Sequence, residues 1–253
     1  MTGAKVALVM GGTSGIGFAT ARALAATGAR VAIAGRDPER GFRAAGELGA
    51  DACFVRADVA QVASVAAVVE QAVARWGRLD WAVNAAALSD LRPAATADIT
   101  EDEWDRTLAA DLKGVWLSMK YELQAMLQVG GGAIVNVSSV NGLSGTATAA
   151  AYCAAKHGVH GLSKTAAIEY APRGIRVNVV CPGAHRTPML EKVFEHLSPG
   201  APEHGETLMR AHIPAGRIGE PDECARAIVW LLSDAASYVN GAVLTVDGAM
   251  SAG

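Results

Sequence analysis

The stretch VALVMGGTSGIG, residues 6–17, joins a short apolar run to a glycine-rich turn. The run VALVM has the length of a buried strand, and the glycines that follow allow the backbone to turn tightly and to approach an anion closely. Apolar residues at helical spacing continue from Ile16 to Thr27, and Gly28 is a favourable residue for ending that helix. Because the free N–H groups at the start of a helix attract phosphate, the stretch predicts a strand–turn–helix unit that binds a pyrophosphate.

The remainder of the chain repeats this alternation of strands and helices. Further strands are predicted at residues 30–34, 52–56, 79–83, 132–137, 175–180 and 243–246. Further helices are predicted to begin at Asp37-Pro38 and to cover residues 64–76, 101–127, 150–170 and 222–232. Strands that alternate with helices pair in parallel through right-handed crossovers. The pattern predicts an α/β fold over residues 1–253, a single-domain, Rossmann-type, doubly wound parallel sheet with helices on both faces.

One segment, residues 184–214, breaks this pattern. It is polar, contains prolines and glycines, and shows no clear period. An irregular segment of this length is uncommon in a compact domain unless it has a function. We therefore expect a lid that closes over substrate, with Met189, Leu190 and Val193 as candidate substrate-facing residues.

The composition excludes several classes of function. A formal net charge of −3 gives no attraction for nucleic acid or for an anionic membrane. No apolar stretch has the length of a membrane span, and the first apolar run is too short for a signal peptide. The four cysteines lie far apart without a CxxC pair, which indicates reduced thiols. We expect a soluble, cytoplasmic protein without nucleic-acid or membrane partners.

A second group of polar residues follows the strand predicted at residues 132–137. Ser139 comes just after that strand, Tyr152 stands thirteen residues later, and Lys156 shares a helical face with Tyr152 because the two are four residues apart. A phenol has a pKa near 10 and is a poor base at neutral pH. An ammonium ~4 Å away, at an effective dielectric of ~20, would lower the pKa of the phenol by up to about 3 units. The spacing therefore indicates a proton-transfer site at Tyr152.

The glycine turn, Ser139 and the YxxxK spacing together resemble the short-chain dehydrogenase/reductase family, whose motif at the first turn is TGxxxGxG. Met10 stands where that family has Thr. The similarity covers nearly the whole chain, since RVN at residues 176–178, CPG at 181–183 and TPM at 187–189 also match. The resemblance implies an NAD(P)-dependent oxidoreductase that interconverts a ketone and a secondary alcohol by hydride transfer, with a small carbonyl or alcohol compound as substrate.

The resemblance also implies the roles of the reacting residues. Tyr152 would exchange a proton with the substrate oxygen, and Ser139 would hydrogen-bond that oxygen. Lys156 would hold the nicotinamide ribose and lower the pKa of the tyrosine. Asp111 stands where the family often has an Asn that belongs to a proton relay. A carboxylate there can accept the hydrogen bond of a relay water or can pair with Lys156, so the sequence leaves the catalytic role of Asp111 open.

Residues that follow several strands would bind the cofactor. By resemblance these are Gly11, Thr13, Ser14, Gly15, Ile16, Gly17, Arg36, Asp58, Val59, Asn84, Tyr152, Lys156, Pro182, Gly183, His185 and Thr187. In the family the residue that matches Asn84 is usually structural and steadies the central strand. His185 stands where Ile or Val is usual and would make the pocket more polar.

The residues after the second predicted strand bear on the choice of cofactor. The acid that selects NAD by binding the ribose 2′-hydroxyl would fall at Gly35, and Arg36 follows as in many members that use NADP. Asp37 precedes Pro38, so capping of the next helix accounts for it. Ser14 lacks the positive charge that many NADP-users carry in the glycine turn. The sequence predicts NADP(H) in preference to NAD(H), with Arg36 as the phosphate partner.

Two other functions fit the same residues. One is reduction of 3-oxoacyl thioesters on an acidic carrier protein, for which Arg92, Arg186 and Arg210 could form a basic patch. The other is a cofactor-binding regulator without turnover, motivated by the departures at Asp111 and His185. An intact set of Ser, Tyr and Lys makes the enzyme the leading interpretation.

Two further expectations concern other copies of the chain and metal ions. The helices around residues 104–127 and 150–170 are rich in alanine, and the family commonly forms tetramers through them. A homo-oligomer, by analogy a homotetramer, is therefore expected. His157 and His160 share a helix face as a metal pair would, but no third ligand is evident, and no metal site is predicted.

Overall fold

A computed structural model describes residues 3–88 and 92–252 of the chain. The strands are β1 (Val6–Met10), β2 (Arg30–Gly35), β3 (Ala52–Arg56), β4 (Trp81–Asn84), β5 (Gly132–Val137), β6 (Ile175–Pro182) and β7 (Val243–Val246). The α-helices are α1 (Gly15–Ala26), α2 (Pro38–Leu48), α3 (Val62–Trp76), α4 (Glu101–Leu108), α5 (Gly114–Gln128), α6 (Ala150–Tyr170), α7 (Pro188–Leu197), α8 (Pro202–Ala211) and α9 (Pro221–Leu232).

The strands form one parallel sheet of seven in the order β3-β2-β1-β4-β5-β6-β7. Helices cover both faces, so β1 is buried along its whole length and is apolar at every position. Ala7 and Val9 pack on the side of α1 and α9, whereas Leu8 and Met10 pack on the side of α3 and α5. This architecture confirms the predicted doubly wound α/β fold.

The sheet brings the predicted site residues to one edge. The strand order runs outward from β1 in one direction and from β4 in the other, so its switch point lies between these two strands. Met10 pairs with Asn84, and Asn84 pairs with Asn136, so the carboxyl ends of β1, β4 and β5 lie side by side. In an open sheet of this type, ligands bind in the crevice outside those ends.

The predicted irregular segment is the main error of the sequence analysis in the fold. Residues 184–214 contain the helices α7 and α8, each with a proline in its first turn. Proline is favourable there because its missing N–H would have had no helical partner. Leu190 and Phe194 join Ile213 and Ile218 in a small apolar cluster of their own. This second cluster stabilises the two helices apart from the main core.

The long helix predicted at residues 101–127 is also modified. The helical path is continuous from α4 to α5, but Ala109–Lys113 between them forms a π-helical turn. π-Helical turns are rare in proteins, and many of those that exist are found at functional sites. No helix within residues 3–88 and 92–252 is both long and apolar enough to cross a membrane.

Candidate active site

The glycine turn after β1 has space for backbone only. Gly11 has φ +78°, and a Cβ there would lie 2.6 Å from the N atom of Ala86. A Cβ on Gly17 would overlap the carbonyl oxygen of Gly11. Ser14 precedes α1 without capping it through its side chain, so the first N–H groups of the helix have no partner from that residue. These groups and the close backbone approach fit the pyrophosphate of a dinucleotide.

Thr187, which follows β6 and is distant in sequence, packs against the glycine turn. A Cβ on Gly15 would meet the Thr187 methyl carbon at 3.2 Å. The hydroxyl of Thr187 also accepts a hydrogen bond from the N–H of Leu190 at 3.3 Å and so caps α7. The start of α7 is therefore held beside the predicted phosphate site.

The end of β2 carries the residues that were predicted to select the cofactor. A Cβ on Gly35 would lie 2.8 Å from the methyl carbon of Thr13, so the Thr13 side chain fills the space that a side chain at position 35 would need. Asp37 accepts a hydrogen bond from the N–H of Arg40 at 3.1 Å and caps α2, as the sequence predicted. Arg36 is exposed at the same edge.

The polar residues at the carboxyl ends of β3 and β4 have partners within the protein. The carboxylate of Asp58 accepts a hydrogen bond from the N–H of Ala60 at 3.0 Å. The Asn84 side chain donates to Glu122 at 3.0 Å and to Asn136 at 2.9 Å. The amide group of Asn84 thus joins β4 to α5 and to β5, which agrees with the structural role expected for this residue. The Oδ1 atom of Asn84 has no hydrogen-bond partner among the described residues.

The three predicted reacting residues meet beyond the carboxyl end of β5. The Nζ atom of Lys156 lies 5.4 Å from the ring centre of Tyr152 and donates a hydrogen bond to the carbonyl oxygen of Val137 at 3.4 Å. The side chain of Lys156 is 2% exposed. The Ser139 hydroxyl is a hydrogen-bond partner of the Tyr152 phenol. The arrangement holds a hydroxyl, a phenol and an ammonium around one point.

Asp111 is a fourth member of this cluster. It lies in the π-helical turn and is completely buried. Its Oδ2 atom is 4.0 Å from Nζ of Lys156, and its Oδ1 atom accepts a hydrogen bond from the N–H of Leu88 at 2.8 Å. The distance between Oδ2 and Nζ is that of a long ion pair, one of the two interactions that the sequence analysis considered for Asp111.

The pKa of Tyr152 differs from the sequence prediction. Burial raises the pKa of the phenol above its ordinary value of 10.0, and the charge of Asp111 raises it further. Lys156 and the hydrogen bond with Ser139 act in the opposite direction but do not outweigh burial. The lowering expected from Lys156 is present, but the net shift in the protein without cofactor is upward, because the sequence argument left out desolvation and the charge of Asp111.

Helix α6 is fastened to the sheet by residues that the sequence analysis did not assign. Ser138 donates a hydrogen bond to the carbonyl oxygen of Lys156 at 3.0 Å, and the Nε2 atom of His160 lies 2.9 Å from the Ser138 hydroxyl. His157 bonds through Nδ1 to the carbonyl oxygen of Cys153 at 2.8 Å. The two histidines thus each have a protein partner. The sign of this contact in the sequence was Ser138, the first residue of the pair Ser138-Ser139.

Glu122 is another buried acid besides Asp111, and the sequence analysis did not name it. It is 0% exposed, and burial raises the pKa of its carboxyl to about 8 in spite of the hydrogen bond from Asn84. The carboxyl is therefore mostly protonated at pH 7. A sign was present in the sequence, because Glu122 shares the helical spacing of the buried Met119, Leu123 and Met126.

The segment after β6 continues the edge of the site. The N–H of Gly183 donates to the carbonyl oxygen of Val246 at 3.0 Å, and a Cβ on Gly183 would lie 2.7 Å from Cβ of Asp247. His185 is buried, with Nδ1 3.2 Å from the carbonyl oxygen of Gly183. Burial lowers the pKa of its imidazole, which therefore stays neutral at pH 7.

Comparison with known proteins finds similarity to reductases and dehydrogenases. The family model described as Enoyl-(Acyl carrier protein) reductase matches residues 11–251. The cis-4-hydroxycyclohexanecarboxylate dehydrogenase of Sinomonas cyclohexanicum is 43% identical over 253 residues, covering 98% of this chain and 97% of the relative. The 2,5-dichloro-2,5-cyclohexadiene-1,4-diol dehydrogenase of Sphingobium indicum is 41% identical over 250 residues, covering 98% and 97%. A crystal structure of an actinorhodin polyketide ketoreductase variant with NADPH matches with TM-score 0.93 and 38% identity, covering 98% and 97%.

Proposed function

The chain belongs to the short-chain dehydrogenase/reductase family, and we propose that Tyr152 is the residue through which it exchanges a proton with its substrate. The protein is an NAD(P)-dependent oxidoreductase that interconverts ketones and secondary alcohols. The observation that supports Tyr152 is its position, with the Ser139 hydroxyl and the Lys156 ammonium beside it at the carboxyl end of the sheet.

Each member of the site has a separate task in this proposal. The N–H groups after β1 and at the start of α1 would bind the pyrophosphate of a nicotinamide cofactor, which when bound would supply or accept the hydride. Ser139 donates a hydrogen bond to the carbonyl oxygen of the substrate and fixes its position. Tyr152 then gives its proton to that oxygen during reduction, or takes the proton of the alcohol during oxidation. Lys156 binds the ribose hydroxyls and places its charge near the phenol.

The proposed substrates are secondary alcohols and ketones on a six-membered carbon ring. Two relatives that match along nearly their whole length are named for hydroxylated cyclohexane and cyclohexadiene compounds. The alternative of a carrier-bound thioester needs free basic residues, but Arg92 is paired with Glu103 at 2.7 Å and Arg186 with Glu206 at 2.8 Å. Two members of the suggested basic patch are therefore neutralised by acids of this chain.

The proposed preference for NADP(H) over NAD(H) depends on the end of β2. Thr13 fills the space beside Gly35, and Asp37 caps α2, so neither position offers an acid to the ribose 2′-hydroxyl. The exposed guanidinium of Arg36 is available for a 2′-phosphate. One similar solved structure contains NADPH, which is compatible with this choice.

We propose that α7 and α8 form the lid expected at residues 184–214. They have a small apolar cluster of their own, and Thr187 places the start of α7 beside the glycine turn. Hydrogen exchange should be faster in α7 and α8 than in α6 of the free protein and should slow when cofactor and substrate are added. Equal protection of the three helices without ligand would contradict the lid.

We propose that four copies of this chain assemble into a homotetramer. A depression on the outer side of α4, α5 and α6 is lined by Leu108, Leu112, Trp116 and Leu162, and Trp116 is 44% exposed. Sedimentation equilibrium measures the assembly directly. A mass equal to one chain at micromolar concentration would contradict it.

Absorbance at the reduced nicotinamide band tests the proposed function. The purified protein is given cyclohexanol with NADP⁺ or NAD⁺, and cyclohexanone with NADPH or NADH. A carrier-bound 3-oxoacyl thioester serves as the competing substrate. We expect turnover of the ring compounds with a larger kcat/KM for the phosphorylated cofactor. Turnover of the thioester alone would contradict the substrate class, and a larger kcat/KM with NAD(H) would contradict the cofactor preference.

A further inference from the structure

The π-helical turn of Ala109–Lys113 carries the carboxylate of Asp111, whose charge acts on Tyr152. Asp111 in this turn is 0% exposed, and its Oδ1 atom is held by the N–H of Leu88 at 2.8 Å. The other carboxylate oxygen is directed to Lys156, with 4.0 Å between Oδ2 and Nζ. Because both side chains are almost fully buried, water screens this pair very little.

The ion pair changes what Lys156 does to its neighbour. A lone ammonium 5.4 Å from the ring centre of Tyr152 would favour the phenolate strongly. An ammonium paired with a buried carboxylate presents a dipole instead, whose field at the phenol is much weaker. The amide of an Asn at position 111 would leave the ammonium uncompensated. The carboxylate at this position is therefore an electrostatic difference and not only a change of hydrogen-bond partner.

The groups that act on Tyr152 come from three places. Lys156 and Cys153 lie on its own helix α6, Ser139 lies after β5, and Asp111 lies in the turn between α4 and α5. Lys156 and Ser139 favour the phenolate, whereas Asp111, Cys153 and burial favour the phenol. Among these groups, Asp111 is the carboxylate in contact with the lysine.

We propose that Asp111 is a positioning residue that partly neutralises Lys156 and thereby weakens the stabilisation that Lys156 gives to the Tyr152 phenolate. The neutral phenol is the form that gives a proton to a carbonyl oxygen, so the ligand-free site is prepared for reduction. Oxidation of an alcohol needs the phenolate and therefore a higher pH. The inference rests on the proposed role of Tyr152 and adds a residue that shifts the balance between its phenol and its phenolate.

The titration of Tyr152 tests this role directly, without turnover. The chain is labelled with ¹³C at the ring carbon that bears the hydroxyl, and the four tyrosine signals are followed by NMR against pH. Tyr152→Phe assigns the signal. In Asp111→Asn we expect the pKa of Tyr152 to fall by about 1–2 units, since a nearby opposite charge then acts uncompensated. The Asn oxygen can still accept the hydrogen bond from Leu88.

Glu122→Gln is the matched control. It replaces a second fully buried carboxyl, on α5, with an amide, but Glu122 bonds to Asn84 and is not among the groups that act on Tyr152. We expect the pKa of Tyr152 to stay at the wild-type value in this variant. An equal fall in both variants would overturn the inference, because it would show a general effect of removing buried acids.

A second variant and a second readout guard against loss of folding. Asp111→Ser also removes the charge, and in either folded variant the pH of half-maximal alcohol oxidation should fall by the same amount as the pKa of Tyr152. An unchanged or raised pKa of Tyr152, with reduced turnover, would overturn the inference and assign Asp111 to the relay instead. Failure of the proposed function is distinguishable, since it would appear as full turnover in Tyr152→Phe whatever the titration shows.

Discussion

The two ends of this site are built from different parts of the chain. At the glycine turn the groups proposed to bind the cofactor belong to the backbone, and side chains are excluded because a Cβ on Gly11 would lie 2.6 Å from the N atom of Ala86. At the proposed reacting end the groups expected to act are the side chains of Ser139, Tyr152 and Lys156, with Asp111 beside the lysine. The glycine turn, which we call the shape-fixed end, depends on the absence of side chains. The other end, which we call the charge-fixed end, depends on charged and proton-exchanging side chains.

This difference teaches how each end should respond to change. A shape-fixed end should lose cofactor affinity when a methyl group is added, whatever the charge. A charge-fixed end should lose turnover when one proton or one charge is removed, with the cofactor still bound. The following changes separate these two responses, in order of decreasing effect.

The largest effect is expected for Tyr152→Phe. Removing the hydroxyl removes the proton donor, so kcat should fall by a hundredfold to ten-thousandfold, the range for losing an acid/base group. The cofactor dissociation constant, measured by quenching of protein fluorescence, should stay within about twofold because the aromatic ring at position 152 and the backbone of the glycine turn are both kept. Unchanged kcat would end the assignment of Tyr152.

Gly17→Ala should produce the opposite pattern. The added methyl group would overlap the carbonyl oxygen of Gly11, so the turn must shift and at least one N–H to phosphate bond is lost. Cofactor affinity should fall by about a hundredfold, the upper value for a charge-assisted bond. Gly46→Ala is the control, since a Cβ at that helical position meets nothing within 4 Å. Equal affinities of the two variants would contradict the shape argument.

Arg36→Ala should act on one cofactor only. Loss of a charge-assisted bond to the 2′-phosphate should weaken NADP(H) binding by about ten- to a hundredfold and leave NAD(H) binding nearly unchanged. Arg43→Ala removes another exposed arginine, from α2, and should change neither value. A constant ratio of the two affinities in Arg36→Ala would disprove the phosphate role.

The smallest effect is expected at the opposite edge of the sheet, where Asp80 precedes β4. Burial raises the pKa of its carboxyl, but hydrogen bonds from Arg78 and from the N–H of Val6 and the charge of Lys5 outweigh this and lower it. Asp80→Asn should cost about 2 kcal/mol of unfolding free energy, or about 4–8 °C in Tm, without changing cofactor affinity. A lowered pKa in the folded state stabilises the fold above the unfolded-state value near 3.9, so the advantage of wild type should disappear as pH falls below about 4. Thermal unfolding against pH measures this, and a constant difference down to pH 2 would contradict it.

The shape-fixed end was readable from the sequence to a large extent. A strand, glycines and a helix at consecutive positions depend on local backbone preferences, and β1 has the predicted bounds Val6–Met10. The capping role of Asp37 was likewise a local pattern, and it is confirmed by the hydrogen bond from Arg40. Local patterns fail where tertiary packing decides, as in α7 and α8, whose helical faces are buried against Ile213 and Ile218.

The charge-fixed end was readable only in part. The i,i+4 spacing of Tyr152 and Lys156 is local, and the sequence named both residues. The 4.0 Å contact between Asp111 and Lys156 joins residues on different helices, so no local pattern gives its distance. The pKa of Tyr152 depends in addition on burial, which the sequence does not specify atom by atom. The contribution of Lys156 therefore has the predicted direction, whereas the net direction is decided by burial.

The independence of the two ends is tested most directly by combining Tyr152→Phe with Arg36→Ala. The quantity to measure is kcat/KM for NADPH at a saturating concentration of ring ketone, in wild type, both single variants and the double variant. If one end binds the cofactor and the other moves the proton, the free-energy losses of the single variants should add to within about 0.5 kcal/mol in the double variant. A double variant that is no worse than Tyr152→Phe alone would contradict this account, because the two residues would then serve the same step.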